Sequence, residues 1–157
     1  MKLKLLLVAL TLMSFTNGYR GELLCSIESK KVSIFINSIY QDAETVCKES
    51  GLPMGLLIAQ ACLESGYRTS TVSLEKCNLL GLRRNHEYIE YPNQLECFRH
   101  WSRTLQKDCY KEIECTSLNL WLYQLRACGY HQSKNYSKKI RYIYYKYNLD
   151  ILDNFKK

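Results

Sequence analysis

The sequence predicts a mainly α-helical domain with a small irregular or β lobe. Apolar residues recur at helical spacing over most of the chain, and only residues 77–92 break that pattern. No internal repeat, low-complexity tract or linker divides residues 19–157, which are enough for one domain with a single core. We therefore expect one helical domain.

The N-terminus has the pattern of a secretory signal peptide. Lys2 and Lys4 precede an apolar stretch at 5–13 that is too short to span a bilayer, and small residues follow up to Gly18. We expect residues 1–18 to be a cleaved signal peptide and residues 19–157 to be the exported domain, periplasmic or extracellular. No other segment is long and apolar enough to insert stably in a membrane.

The first two helices are predicted from the residues that start and end them. Ser29 is a plausible cap for a helix whose apolar residues continue to Val46, and the sequence Gly51-Leu52-Pro53 ends it. Pro53 can open a second helix that runs to about Ser65 and is apolar on almost every face. This second helix should be the buried centre of the fold.

Three further helices follow from the same periodicity. The third begins near Asn93, after Pro92, and the fourth ends at Gly129. The core-facing residues are Phe98, Trp101 and Leu105 in the third, Leu118, Leu122 and Leu125 in the fourth, and Tyr136, Ile140, Ile143 and Tyr147 in the fifth. Between the second and third helices, residues 88–91 (YIEY) read as a short strand, half of a small hairpin.

All eight cysteines lie in the predicted exported domain, at positions 25, 47, 62, 77, 97, 109, 115 and 128. An even count in an exported chain favours disulfides. A metal site is the poorer interpretation, because no CxxC or HxxxH spacing occurs. The pairing does not follow from the sequence, although Cys109 and Cys115 are close enough to close a small loop.

The basic character of the chain suits an anionic partner. The formal charge is +7, and removal of Lys2 and Lys4 leaves +5. Such a charge fits a cell-wall polymer, a membrane surface or nucleic acid. Nucleic acid is disfavoured, since no basic run is interleaved with aromatic residues at the density of a nucleic-acid groove.

Glu64 is the candidate catalytic residue, because it is a carboxyl group at the end of an otherwise apolar helix. It could be a structural residue, hydrogen-bonded to the following loop or paired with Arg68. It could also be a general acid, since apolar surroundings raise the pKa of a carboxyl group. For a lone glutamate the structural interpretation is the better one, and the neighbouring motifs decide between them.

Those motifs resemble a known family. IAQACLESGYRTS at 58–70 and CNLLGL at 77–82 are similar to the patterns A-Q-A-x-x-E-S-G-W-G and N-N-L-F-G-I. These patterns belong to the bacterial peptidoglycan endo-β-N-acetylglucosaminidases, family 73 glycoside hydrolases of the lysozyme superfamily, found in autolysins and the flagellar wall hydrolase. By this resemblance Glu64 is the catalytic acid.

Two later segments extend the resemblance to residues 30–150, in the family's order. GYHQSKNY at 129–136 is similar to G-Y-A-T-D-P-x-Y, and YIEYPNQLECFRHW at 88–101 is similar to F-R-x-Y-x-S-x-x-E-S. Tyr130 falls on the family's active-site tyrosine, and Tyr136 matches its last tyrosine. The chain departs from the family at Tyr67-Arg68, in place of Trp-Gly, at Cys77 and at Ser133.

The resemblance implies a lysozyme-like helical domain that acts as an exported peptidoglycan hydrolase. It would be a monomer that binds glycan strands and cleaves them at N-acetylglucosamine bonds, without metal or organic cofactor. Glu64 would protonate the leaving oxygen, Tyr130 would support the substrate's acetamido group, and Glu87, preferred to Glu90, would be a second carboxylate. The substrate-binding residues would be Tyr67, Asn78 and Tyr136.

Several alternatives remain open at this point. A muramidase or a lytic transglycosylase also uses a single glutamate at such a helix end. A non-catalytic wall-binding protein could keep the same fold, and the altered pair Tyr67-Arg68 favours that possibility. Tyr67 could stack on a sugar or pack only against the core. Arg68 would lower the pKa of Glu64 if it pointed inward, and we expect it to point into solvent.

Overall fold

The structure is a computed structural model that describes residues 20–24, 26–107, 109, 117–131, 133 and 135–153. The predicted signal peptide at 1–18 lies outside the described residues. Residues 20–24 are helical, and Arg20 donates two hydrogen bonds to the Asn37 side chain.

The described helices agree with the five predicted ones and add a short turn of helix before the lobe. They are α1 (Lys30–Ser50), α2 (Met54–Ser65), α3 (Thr71–Glu75), α4 (Gln94–Leu105), α5 (Leu118–Ala127) and α6 (Tyr136–Lys146), followed by a 3₁₀ helix (Leu149–Leu152). Helix α4 begins where the sequence predicts, and Asn93 caps it by accepting a hydrogen bond from the Glu96 N–H. Gly129, just past α5, has a φ of +74° that favours glycine.

Helix α2 is the centre of the fold, as its apolar sequence predicts. It packs against α1, α6 and the 3₁₀ helix, while α1 also packs against α4. Buried side chains of Phe98, Trp101, Trp121 and Tyr144 fill the space around it. The central position of α2 fixes the residue at its end, Glu64.

The lobe is a two-stranded antiparallel hairpin, β1 (Arg83–Arg84) and β2 (Glu87–Tyr88). The sequence predicted a strand at 88–91 as half of a hairpin. A hairpin is present, but its second strand lies earlier, at Glu87–Tyr88, because the turn begins at Asn85. Asn85 and His86 have φ values of +52° and +69°, as a two-residue hairpin turn requires. The turn pairs Arg84 with Glu87 and Arg83 with Tyr88, and the Ile89 N–H donates to the Leu82 carbonyl next to them.

The cysteines differ from the prediction. Cys109 is bonded to Cys128, with Cα atoms 5.9 Å apart, so the suggested pairing with Cys115 is wrong. Residue 128 directly follows α5 and is brought beside Cys109 by the tertiary fold. Cys25 and Cys115 lie outside the described residues. The four other cysteines are free thiols: Cys47, Cys62, Cys77 and Cys97.

Three of those thiols have a packing role that explains why they are unpaired. Cys47, Cys62 and Cys97 are buried in helices α1, α2 and α4, where they act as small apolar side chains. Burial raises the pKa of Cys97 to about 11 and raises the pKa values of the other two further. The interpretation of the cysteines as disulfides therefore holds for Cys109 and Cys128 but not for these three thiols.

Two further predictions concern what the fold lacks. No helix within the described residues is long and apolar enough to cross a membrane. The same part of the chain contains no cluster of three or more His, Cys, Asp or Glu side chains suited to holding a metal ion.

Candidate active site

Helix α2 ends directly after Glu64 because the next residues adopt a left-handed turn. Gly66, Tyr67 and Arg68 have φ values of +58°, +59° and +62°. Ser65 secures this turn, since its hydroxyl donates to the Ala61 carbonyl and accepts from the Arg68 N–H. The Ser-Gly pair after Glu64 therefore ends the helix at a fixed point and holds the carboxyl group at its edge.

Glu64 is half-buried, and its environment favours the neutral acid. Burial raises the pKa of its carboxyl group, and this effect outweighs a hydrogen bond from Tyr136 and the charge of Lys139, which both lower the pKa. Both opposing groups lie on α6. A carboxyl group tuned in this way can hold a proton at higher pH than an ordinary glutamate.

A buried chain of hydrogen bonds supports Tyr136 from behind. The Trp101 indole N–H donates to Gln60 Oε1 at 2.8 Å, and Gln60 Nε2 donates to the Tyr136 hydroxyl at 2.9 Å. Gln60 and Trp101 are 0 % exposed and Tyr136 is 7 % exposed. Gln60 lies one turn before Glu64 on α2, so both approach Tyr136 from the same helix face.

The turn at 78–82 closes the other side of Glu64. Asn78 donates to the carbonyls of Leu82 and Ile89 and accepts from the Leu82 N–H, all at 2.8–2.9 Å. Gly81, with a φ of +62°, lies so close that a Cβ atom there would be 3.5 Å from Glu64 Oε2. Asn78 thus ties the lobe to the turn that borders the carboxyl group.

Tyr130 and His131 complete the surroundings of Tyr136. The centre of the Tyr130 ring lies 6.5 Å from the centre of the Tyr136 ring. The His131 ring stacks on the Tyr136 ring, with their centres 4.2 Å apart. Burial lowers the pKa of His131, which favours the neutral imidazole. Aromatic rings and one carboxylic acid therefore meet at one place, which suits acid chemistry on a sugar.

Comparison with known proteins agrees with this arrangement. Residues 40–149 match the family described as Glucosaminidase, mannosyl-glycoprotein endo-beta-N-acetylglucosaminidase. The chain belongs to the glucosaminidase family. It is therefore a glycoside hydrolase, an endo-β-N-acetylglucosaminidase by family. A search of curated protein sequences gives no match.

Two solved structures share the glucosaminidase fold. One is the catalytic domain of the autolysin Auto from Listeria monocytogenes, with 20 % identity, a TM-score of 0.67, and coverage of 87 % of this chain and 97 % of that one. The other is the glycoside hydrolase domain of FlgJ from Salmonella typhimurium, with 18 % identity, a TM-score of 0.63, and coverage of 76 % and 90 %. The lysozyme-like helical fold expected from the sequence is confirmed.

The glucosaminidase brings together three of the residues singled out from its sequence. Glu64, Tyr136 and Tyr130 form a connected set through the Tyr136 side chain. Asn78 contributes indirectly, because its side chain is 1 % exposed and bonded to backbone groups. Arg68 is exposed, as expected.

Tyr67 lies in a different setting. Its ring packs edge-on against Phe35 and Tyr147, and its hydroxyl is 3.2 Å from the Tyr147 hydroxyl. It also lines a groove of about 580 Å³ between the start of α1 and the turn after α2. That groove carries the cations Lys30, Lys31 and Arg68. Core packing, one of its two anticipated roles, is therefore present.

Glu87 and Glu90 are both exposed. Glu87 lies in β2, directly opposite Arg84 in the hairpin register, whereas Glu90 lies beyond the strand. The two carboxylates therefore do not belong to the same strand.

Sequence reasoning missed Gln60 and Trp101 as site residues. Gln60 is the one strongly polar side chain within the apolar run of α2 before Glu64, which was the available signal. Trp101 carried none, because an apolar aromatic at helical spacing reads as core. Their contact joins residues 41 positions apart.

Proposed function

We propose that this glucosaminidase is an exported peptidoglycan hydrolase that cleaves the glycan backbone at N-acetylglucosamine bonds. The observation that carries the proposal is the half-buried Glu64 at the end of α2, beside Tyr136, with a carboxyl pKa that burial raises. A general acid must be protonated before it can donate to the leaving oxygen, and this environment favours the protonated form.

We propose a reaction assisted by the substrate itself. The acetamido oxygen attacks the anomeric carbon, and the glycosidic bond breaks as Glu64 gives its proton to the leaving oxygen. Water then opens the cyclic intermediate and returns a proton to the Glu64 carboxylate. Tyr130, 6.5 Å from Tyr136 between ring centres, would support the acetamido group during attack.

Glu87 is our candidate for a second carboxylate. Positive charge develops at the anomeric centre in such reactions, and a carboxylate on the hairpin would stabilise it. Its exposure fits a residue that approaches the sugar from the lobe. Acetamido participation makes a nucleophilic carboxylate unnecessary, so Glu87 would assist with its charge and not by attack.

Substrate binding is assigned to three residues with different roles. Tyr136 would contact the sugar beside Glu64, and Asn78 would act by holding the turn that contains Gly81. Tyr67 would bind from its groove, where Lys30, Lys31 and Arg68 suit the carboxylates of wall peptides. We propose that the enzyme acts on glycan strands as a monomer.

Export is supported by two features. Residues 1–18 have the pattern of a signal peptide, and the Cys109–Cys128 disulfide fits an oxidising compartment.

Mass spectrometry of digested, purified wall tests the proposed specificity. Fragments ending in reducing N-acetylglucosamine are expected. A reducing N-acetylmuramic acid would identify a muramidase, an anhydro sugar would identify a lytic transglycosylase, and either product would overturn the proposed bond specificity.

A further inference from the structure

The indole of Trp101 settles the orientation of a buried amide. An indole N–H can only donate a hydrogen bond, so the Gln60 atom 2.8 Å from it must be the carbonyl oxygen. The amide nitrogen of Gln60 then faces the Tyr136 hydroxyl, 2.9 Å away. Amide orientation is otherwise ambiguous, and here a donor-only partner fixes it.

The same logic fixes the hydroxyl proton of Tyr136. Because Gln60 donates to the Tyr136 oxygen, the single proton of that hydroxyl is available to another partner. Glu64 is that partner, because the Tyr136 hydroxyl lowers the pKa of its carboxyl group as a hydrogen-bond donor does, and Glu64 lies one helical turn after Gln60 on the same face of α2. A donor at this position would occupy one oxygen of Glu64 and leave the other for the catalytic proton.

Burial makes this order of donors and acceptors persistent. Gln60 and Trp101 are 0 % exposed, so no solvent molecule competes for their polar atoms. Rotation of the Gln60 amide would place its NH₂ group against the indole N–H, two donors facing each other. It would also present a carbonyl to Tyr136, which could then donate away from Glu64.

We propose that Trp101 and Gln60 are positioning residues that hold Tyr136 as a hydrogen-bond donor to Glu64 and so fix the oxygen from which the acid delivers its proton. This inference rests on the proposed role of Glu64 as the acid. It extends the active site by two buried residues that never touch the substrate.

Among the residues that the structure describes, two titratable side chains shift the pKa of Glu64. From α6 it faces Tyr136 and Lys139, and both lower its pKa. The turn at 78–82 approaches it through Gly81, which has no titratable side chain. His131 stacks on Tyr136, and burial lowers the pKa of its imidazole, which favours the neutral form. A change in the Tyr136 hydrogen bond should therefore be visible in the titration of Glu64.

Trp101→Phe and Trp121→Phe form a matched pair of variants. Both indoles are buried to within 2 % exposure, but within the described residues the Trp121 indole N–H has no hydrogen-bond partner. Each substitution removes an indole and keeps an aromatic ring. Only Trp101→Phe frees the Gln60 amide to rotate.

The readout is the carboxyl ¹³C titration of Glu64, assigned with Glu64→Gln, alongside the pH profile of kcat/KM. Trp101→Phe should raise the pKa of Glu64 by about half a unit or more, because the carboxylate loses a donor. Trp121→Phe should leave it unchanged. In a Tyr136→Phe background, Trp101→Phe should add no further shift, since the donor is already absent.

Equal pKa values of Glu64 in wild type and Trp101→Phe would overturn the inference, whatever happens to activity. If Trp101→Phe does not fold, Trp101→Leu, which also removes the indole N–H and leaves the Gln60 amide free to rotate, takes its place with the same expected shift. A shifted pKa that the activity profile fails to follow would leave the positioning intact and contradict the proposed role of Glu64 instead.

Discussion

The Asp153 carboxylate accepts a 2.7 Å hydrogen bond from the backbone N–H of Gly55, 98 residues earlier in the chain. Its second oxygen accepts a 2.9 Å hydrogen bond from the Tyr144 hydroxyl. Helix α2 begins after Pro53, which provides no side-chain cap, so Asp153 supplies the missing acceptor. The helix that ends in Glu64 is thus anchored at its start by a residue from the end of the described chain.

Asp153→Ala should therefore destabilise the protein by about 2 kcal/mol, through loss of the cap and of the Tyr144 partner. Asp150→Ala is the control, because Asp150 is exposed in the 3₁₀ helix that directly precedes Asp153. Urea unfolding measures both. Equal midpoints for the two variants would contradict the capping role.

The effect of Asp153 should also depend on pH. Burial raises the pKa of Asp153 to about 6 from an ordinary 3.8, so between these values the folded state binds more protons than the unfolded state. The contribution of Asp153 to the free energy of unfolding is therefore fully present below this window and decreases as pH rises through it. The decrease is about 1.4 kcal/mol per unit of pKa difference between the folded and unfolded states. The stability difference between wild type and Asp153→Asn, measured from pH 4 to 7, should shrink as pH rises. A constant difference would contradict the raised pKa.

Arg68→Gly should stabilise the enzyme. Arg68 is exposed at a φ of +62°, where an L-residue is strained and glycine is not, and the family pattern has glycine at this position. We expect a gain of about 1 kcal/mol. Arg103→Gly, in the exposed last turn of α4, should lose about as much. The idea fails if thermal melts show destabilisation in both variants.

Much of the fold was predictable because its signals are local. Pro92 and Asn93 mark the start of α4, and the apolar run after Pro53 identifies the central helix. Glu64 was found through a motif of consecutive residues. The contacts of Gln60 with Trp101 and of Gly55 with Asp153 join distant parts of the chain, so no local sequence pattern predicts them. The pairing of Cys109 escaped prediction for the same reason.

The free thiols give a direct check on the packing. In denaturant without reductant, alkylation should label Cys47, Cys62, Cys77 and Cys97. In the native protein Cys77 should react first of these four, because the other three are buried. Peptide mapping distinguishes the sites, and Cys109 and Cys128 should appear only after reduction. Protection of all four thiols after unfolding would mean that they are also paired.

The hairpin carboxylates are tested by comparing Glu87→Gln with Glu90→Gln on purified wall. Both side chains are exposed, so neither change should alter stability by more than about 0.5 kcal/mol. We expect a clear loss of turnover for Glu87→Gln alone. Near wild-type turnover of Glu87→Gln would remove it from the mechanism, and a loss confined to Glu90→Gln would reverse the assignment.

The acid itself is tested most directly by the turnover of Glu64→Gln on purified wall. The substitution keeps the size of the side chain and removes its transferable proton, so hydrolysis should fall by roughly 10²–10⁴-fold. The melting temperature should stay within a few degrees, because Glu64 lies at the edge of the core. A folded Glu64→Gln protein that retains more than about a tenth of wild-type turnover would contradict its assignment as the catalytic acid.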